Sequence, residues 1–133
     1  MARELLAKGM GASPGIATGA IVFRSEDAVA LAAQGTSVIL VRIETTSEDV
    51  PGMRAAAGII TTRGGITGDA AIVARSLGKP CIASCPPMRV DYAKDCLTVW
   101  RDSTTDAAES DVVLPKGTVI TIDGAKGEIY TDA

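Results

Sequence analysis

The 133-residue chain contains no histidine. No imidazole is therefore available as a nucleophile near neutral pH, or as a zinc ligand beside the cysteines. Aromatic residues are only 3% of the sequence against 47% hydrophobic, so the core has to be aliphatic and closely packed. There is no basic patch interleaved with aromatics of the kind that binds nucleic acid, and 13 basic against 16 acidic residues leave a net charge of −3. Long apolar runs are missing as well. None approaches the ~20 residues of a transmembrane helix, and the start, Met1-Ala2-Arg3-Glu4-Leu5-Leu6, lacks the apolar segment of a secretion signal. Cysteine is limited to Cys81, Cys85 and Cys96. An odd count without a secretory leader points to reduced, buried structural thiols in the cytoplasm or another reducing compartment. The expectation is no membrane, no nucleic acid and no metal.

What is present fits a single domain able to bury its own core. Arg3 to Lys8 is helix-compatible and breaks at Gly9-Met10-Gly11, which separates residues 1–8, as a tail or linker, from a domain over 9–133. Gly11 to Gly19 is turn-rich, and Ala20-Ile21-Val22-Phe23 reads as a strand. Ser25 to Gln34 reads as a short amphipathic helix capped by Ser25 and ended by Gly35, with Ala28, Leu31 and Ala32 facing the core. Val38-Ile39-Leu40-Val41 is a strand buried on both faces. Thr45 and Glu48 have capping-box spacing, with Ser47 or Asp49 as alternative caps, for a short helix that takes Pro51 only in its first turn, is weakened by Gly52 and ends near Ala57-Gly58. Ile59-Ile60-Thr61 is the next strand. The alternation of strand and helix predicts parallel pairing.

Farther on, Cys81 to Ser84 is a short strand stopped by Pro86-Pro87, and Leu97 to Trp100 alternates like a half-exposed strand. Residues 91–110 are polar and loosely patterned, with a loop over Thr104 to Asp111. Residues 111–118 lead into the strand Val119-Ile120-Thr121-Ile122. A turn over Asp123 to Gly127 then returns the chain as Glu128-Ile129-Tyr130.

The most informative stretch follows the strand at 59–61. It runs Arg63-Gly64-Gly65-Ile66-Thr67-Gly68-Asp69-Ala70-Ala71-Ile72-Val73-Ala74-Arg75-Ser76-Leu77-Gly78-Lys79-Pro80. Ala70, Val73, Ala74 and Leu77 share one helical face. Thr67 is placed as N-cap, Asp69 in the first turn, Gly78 after the last turn and Pro80 beyond it. A Gly-Gly turn feeding a helix start can present backbone N–H groups to an anion.

The string resembles the phosphohistidine segment of the phosphoenolpyruvate-utilising enzymes, roughly T-x-x-G-G-x-T-S-H-A-A-I-V-A-R-x-x-G-x-P-C, and within them the pyruvate phosphate dikinases. Gly64, Gly65, Thr67, Ala70 to Arg75, Gly78, Pro80 and Cys81 match. Gly68 stands where the family has Ser, and Asp69 where it has the phosphorylated His. Further likenesses run from about Gly9 to Tyr130 and are weakest between Met88 and Asp111.

The resemblance implies an α/β fold, the swivelling β/β/α domain: a compact β sandwich or barrel flanked by helices, with the working turn at one edge. It implies a phosphoryl carrier shuttling between an ATP-binding domain and a phosphoenolpyruvate- or pyruvate-binding domain, in cis or in trans. The domain itself would bind no cofactor, since Mg and ATP belong to other domains of the family. Carried over residue by residue, the site is Asp69 at the carrier position, with Arg63, Gly64, Gly65, Thr67, Gly68 and Arg75 around the turn and its helix. A carboxylate is a weaker nucleophile than imidazole, has a shorter reach and repels incoming phosphate. Asp69 is therefore expected to leave the chain without phosphotransfer activity. The alternatives are a non-enzymatic docking module for the partner domains, and an aspartyl-phosphate carrier.

Overall fold

The computed structural model describes residues 4–45, 47–63, 69–84, 88–99 and 112–131. Its architecture is built on the four parallel strands that the hydrophobic runs predict: β3 (Ile16–Val22), β4 (Val38–Arg42), β5 (Gly58–Thr61) and β6 (Cys81–Ala83). Each crossover carries one helix: α1 (Ser25–Ala33), α2 (Val50–Ala55) and α3 (Asp69–Leu77). The strands lie in sequential order, and crossovers of one hand put all three helices on one face.

The strand pleat then divides the core in two. Val38, Leu40, Ile59 and Cys81 point toward the helices and pack with Ala28, Met53, Ala56, Ala71 and Ala74. Ile39, Val41, Ile60 and Ile82 point the opposite way. That second face is covered by a three-stranded antiparallel meander, β7 (Met88–Asp91), β8 (Cys96–Val99) and β9 (Val112–Pro115), through Met88, Val90, Leu97, Val99 and Leu114. The layers are therefore sheet, sheet and helices, and β4 is buried on both faces as its unbroken aliphatic run demands.

Four more strands complete the large sheet. The hairpin β10 (Val119–Asp123) and β11 (Glu128–Thr131) pairs antiparallel to β3. Beside it lies β1 (Glu4–Lys8), and β2 (Met10–Ser13) pairs antiparallel with β6 at the opposite edge. Gly9 donates its N–H to the Gly127 carbonyl at 2.8 Å, which bends the chain from one edge to the other.

The structure corrects the sequence reading at several points. Residues 4–8 are a strand and not helical. Five residues cannot offset helix nucleation alone, whereas pairing with β11 satisfies their backbone and buries Leu6 and Ala7. The turn-rich stretch before residue 20 is mostly β2 and β3, because only Pro14 and Gly15 separate them. Arg24, not Ser25, is the N-cap of α1, and no side chain caps it. The Ser25 hydroxyl instead accepts the Gly52 N–H at 2.8 Å and so ties α1 to α2. Helix α2 starts behind a 3-10 turn, Ser47–Asp49, with the alternative cap Asp49 at the N-cap position though without a side-chain cap hydrogen bond, so the Thr45–Glu48 spacing does not mark its start. Strand β9 lies where the sequence reads as a lead-in, and β7 forms over residues 88–91, where no strand is expected. The readings at Pro86-Pro87, Trp100 and Thr104 to Asp111 fall outside the described residues.

Candidate functional site at the C-terminal edge of the parallel strands

Beyond Thr61 the β4–β5 ladder ends, but the chain stays hydrogen-bonded to the end of β4 for two more residues. Thr62 and Arg63 donate their N–H groups to the carbonyls of Arg42 and Ile43 at 3.2 and 3.1 Å. The Thr61 hydroxyl donates to the Arg63 carbonyl at 2.8 Å and folds the chain back on itself. The glycine turn therefore leaves from the C-terminal end of the parallel strands, where open α/β sheets place their ligands. Gly64, Gly65, Thr67 and Gly68 lie outside the described residues. Asp69 is the first residue of α3, so the sequence places an acidic residue at the end of the helix where backbone N–H groups lack intrahelical partners.

Helix α3 is held by its small residues. Ala70, Ala71 and Ala74 are buried against β5 and β6, and Val73 and Leu77 pack at the margin, as the periodicity predicts. Its end is sealed at Gly78, whose φ of 69° is the left-handed conformation. Lys79 N–H returns to the Ala74 carbonyl at 2.9 Å, and Gly78 N–H to that of Arg75 at 3.2 Å. The Lys79 ammonium donates to the carbonyls of Arg54 and Ala56 at the end of α2. Ile72, on the same helix, is 54% exposed.

The two arginines of the motif are separated. Arg63 is exposed immediately before the turn. Arg75 lies six residues along the helix from Asp69, ~9 Å in rise, and its Nε donates to the Ala12 carbonyl at 2.7 Å, bracing β2 against α3.

A protein-family model described as "PEP-utilising enzyme, mobile domain" matches residues 34–127. The chain belongs to that family. It is 47% identical over 96% of its length to pyruvate, phosphate dikinase of Rhizobium meliloti (strain 1021). It is 48% identical over 95% of its length to pyruvate, phosphate dikinase 2 of Oryza sativa subsp. japonica. It spans only 13% of the length of each of these relatives. A looser likeness, TM-score 0.42 at 21% identity over 70% of this chain and 29% of the other, links it to a solution structure of Enzyme I (nEIt).

On this mobile domain, the edge that carries the turn also carries residues the sequence reading did not single out. Arg24, Arg42, Asp49 and Pro51, with Glu26 and Val29, line an open cleft of about 610 Å³ between the starts of α1 and α2. Both arginines are turned to protein partners. Arg42 Nη1 donates to the Phe23 carbonyl at 2.7 Å, its Nε lies 3.6 Å from the Asp49 carboxylate, and its guanidinium stacks 4.6 Å from the Tyr92 ring centroid. Arg24 Nη2 donates to the Tyr92 carbonyl at 3.1 Å. The one available sequence signal was Arg42 itself, a cation directly after a fully buried strand. Among the described residues no group of three or more acidic or cysteine side chains is placed to hold a metal ion.

Proposed function

We propose that the chain is a mobile domain of a pyruvate phosphate dikinase-like enzyme that retains the docking form of a phosphoryl carrier but does not itself carry phosphate. The observation behind this reading is the absence of any histidine, together with Asp69 as the opening residue of α3 at the position of the family's phosphohistidine. A carboxylate there brings negative charge and a short reach to a place that needs a neutral nucleophile able to enter two foreign sites. The fold and helix α3 are kept around it, as are Gly64, Gly65 and Thr67 in the sequence, and exposed Ile72 offers apolar surface on α3. This arrangement suits contact with ATP-binding and phosphoenolpyruvate- or pyruvate-binding domains. In this reading metal and nucleotide belong to those partner domains.

Incubation with labelled phosphoenolpyruvate or ATP and the two partner domains tests the reading. Label is expected on Asp69→His and not on the natural chain. Acid-stable, hydroxylamine-sensitive label on the natural chain would overturn the proposal in favour of an aspartyl-phosphate carrier.

A further inference from the structure

We infer that Tyr92 is a positioning residue for Arg63, the residue that precedes the glycine turn, acting through the end of β4. The inference rests on the functional reading only in taking that turn as the working end of the domain. Tyr92 belongs to the turn between β7 and β8, in the small sheet, yet its hydroxyl accepts the N–H of Ile43 at 2.8 Å. Ile43 is the residue just past β4, and its carbonyl accepts the N–H of Arg63 at 3.1 Å. Arg63 immediately precedes Gly64. Two consecutive hydrogen bonds thus run from the phenol to the residue from which the turn departs.

The phenol is itself held on three sides. The Arg42 guanidinium lies 4.6 Å from its ring centroid, Arg24 binds its carbonyl at 3.1 Å, and the ring packs against the core between the sheets. Arg42 also closes a parallel route, because its own carbonyl accepts the Thr62 N–H at 3.2 Å while its side chain reaches Phe23 and Asp49. Residues 62 and 63 are therefore anchored to residues 42 and 43, and these are anchored by one stacked Arg–Tyr pair. Hydrogen bonds just beyond the end of a strand fray unless something fixes their partners. Among the described residues, the group that fixes Ile43 N–H is a side-chain hydroxyl from the other sheet. Ring burial alone would be served as well by phenylalanine, so the hydroxyl is the informative atom.

Amide hydrogen exchange by NMR on the full chain tests this with Tyr92→Phe. Loss of one hydrogen bond of ordinary strength is expected to speed exchange of Ile43 and Arg63 by roughly 2- to 10-fold, while Leu40 and Ile60 in the middle of their strands stay unchanged. Thr18→Val breaks the Thr18–Thr121 hydroxyl pair, 2.7 Å long and on β3 and β10, and is expected to leave Ile43 and Arg63 unmoved. Arg42→Lys keeps the charge beside Asp49 but gives up the flat stack, and is expected to move the same two amides as Tyr92→Phe. An Arg63 amide that does not respond in either variant overturns the inference, as does a uniform rise across the core, which would report global stability only. The readout involves no phosphoryl transfer. Failure of label uptake by Asp69→His would therefore remove the functional reading and leave this one standing, and an unmoved Arg63 amide would do the reverse.

Discussion

Cys81 opens β6 with no solvent exposure, and burial pushes its thiol from the ordinary 9.0 up to about 12, with the Arg75 cation pulling the other way. The folded state therefore holds this proton after the unfolded chain has lost its own. The resulting stability is complete below pH 9 and declines as pH rises from 9 toward 12, by an amount on the order of a few kcal/mol. Lys79 is shifted down by desolvation and works in the opposite direction, so the thiol is best isolated by difference. Chemical denaturation of the natural chain and of Cys81→Ala should show a gap in unfolding free energy that narrows across this pH window. A gap that stays constant would contradict the assignment. Sequence reading called this cysteine a buried structural thiol, and it is one; Cys96 is only half-buried, and Cys85 lies outside the described residues.

Among the elements, α1 and α2 approach through a glycine. A Cβ on Gly52 would lie 2.6 Å from Ser25 Cα and would also displace the Ser25 hydroxyl that accepts the Gly52 N–H. Helix propensity alone predicts that Gly52→Ala stabilises α2 by about 1 kcal/mol. The contact is with backbone, which cannot swing aside, so overpacking of about 1–3 kcal/mol together with the lost hydrogen bond should prevail. The variant is expected to unfold at lower denaturant concentration, and a gain in stability would show that propensity outweighs the close approach. In sequence, Gly52 registered only as a weakness of the helix. Its purpose depends on a residue 27 positions earlier, and no local pattern carries that pairing. The helix ends were more legible: Gly35 and Gly78 both take positive φ where the periodic stretches stop.

For the whole molecule, the small sheet is what makes the domain three layers thick. Leu97 is fully buried between the sheets, among the residues of β3, β4 and β10 that point away from the helices. Leu97→Ala is expected to cost about 2–5 kcal/mol, measurable as a shifted unfolding midpoint. A loss well under 1 kcal/mol would mean that the two sheets are loosely joined. Covering this second face also brings the β7–β8 turn, with Tyr92, to Ile43 at the end of β4. No helix of the structure, among the described residues, is long and apolar enough to cross a membrane.

The sequence alone determined the parallel unit from β3 to β6, since aliphatic runs and helical spacing are local signals of burial. It also determined the chemical limit of the site, because the absence of histidine is a property of composition. Tertiary structure decided what the edges do. Residues 4–8 became a strand because β11 offered unpaired backbone, and β7 and β9 formed because an apolar sheet face needed cover. It likewise separated Arg75 from Asp69 along the rise of α3 and brought in Tyr92 from 49 residues beyond Ile43. Short edge strands and hydrogen bonds between distant residues gain their free energy only after the chain has closed around them, so nothing in the local pattern announces them.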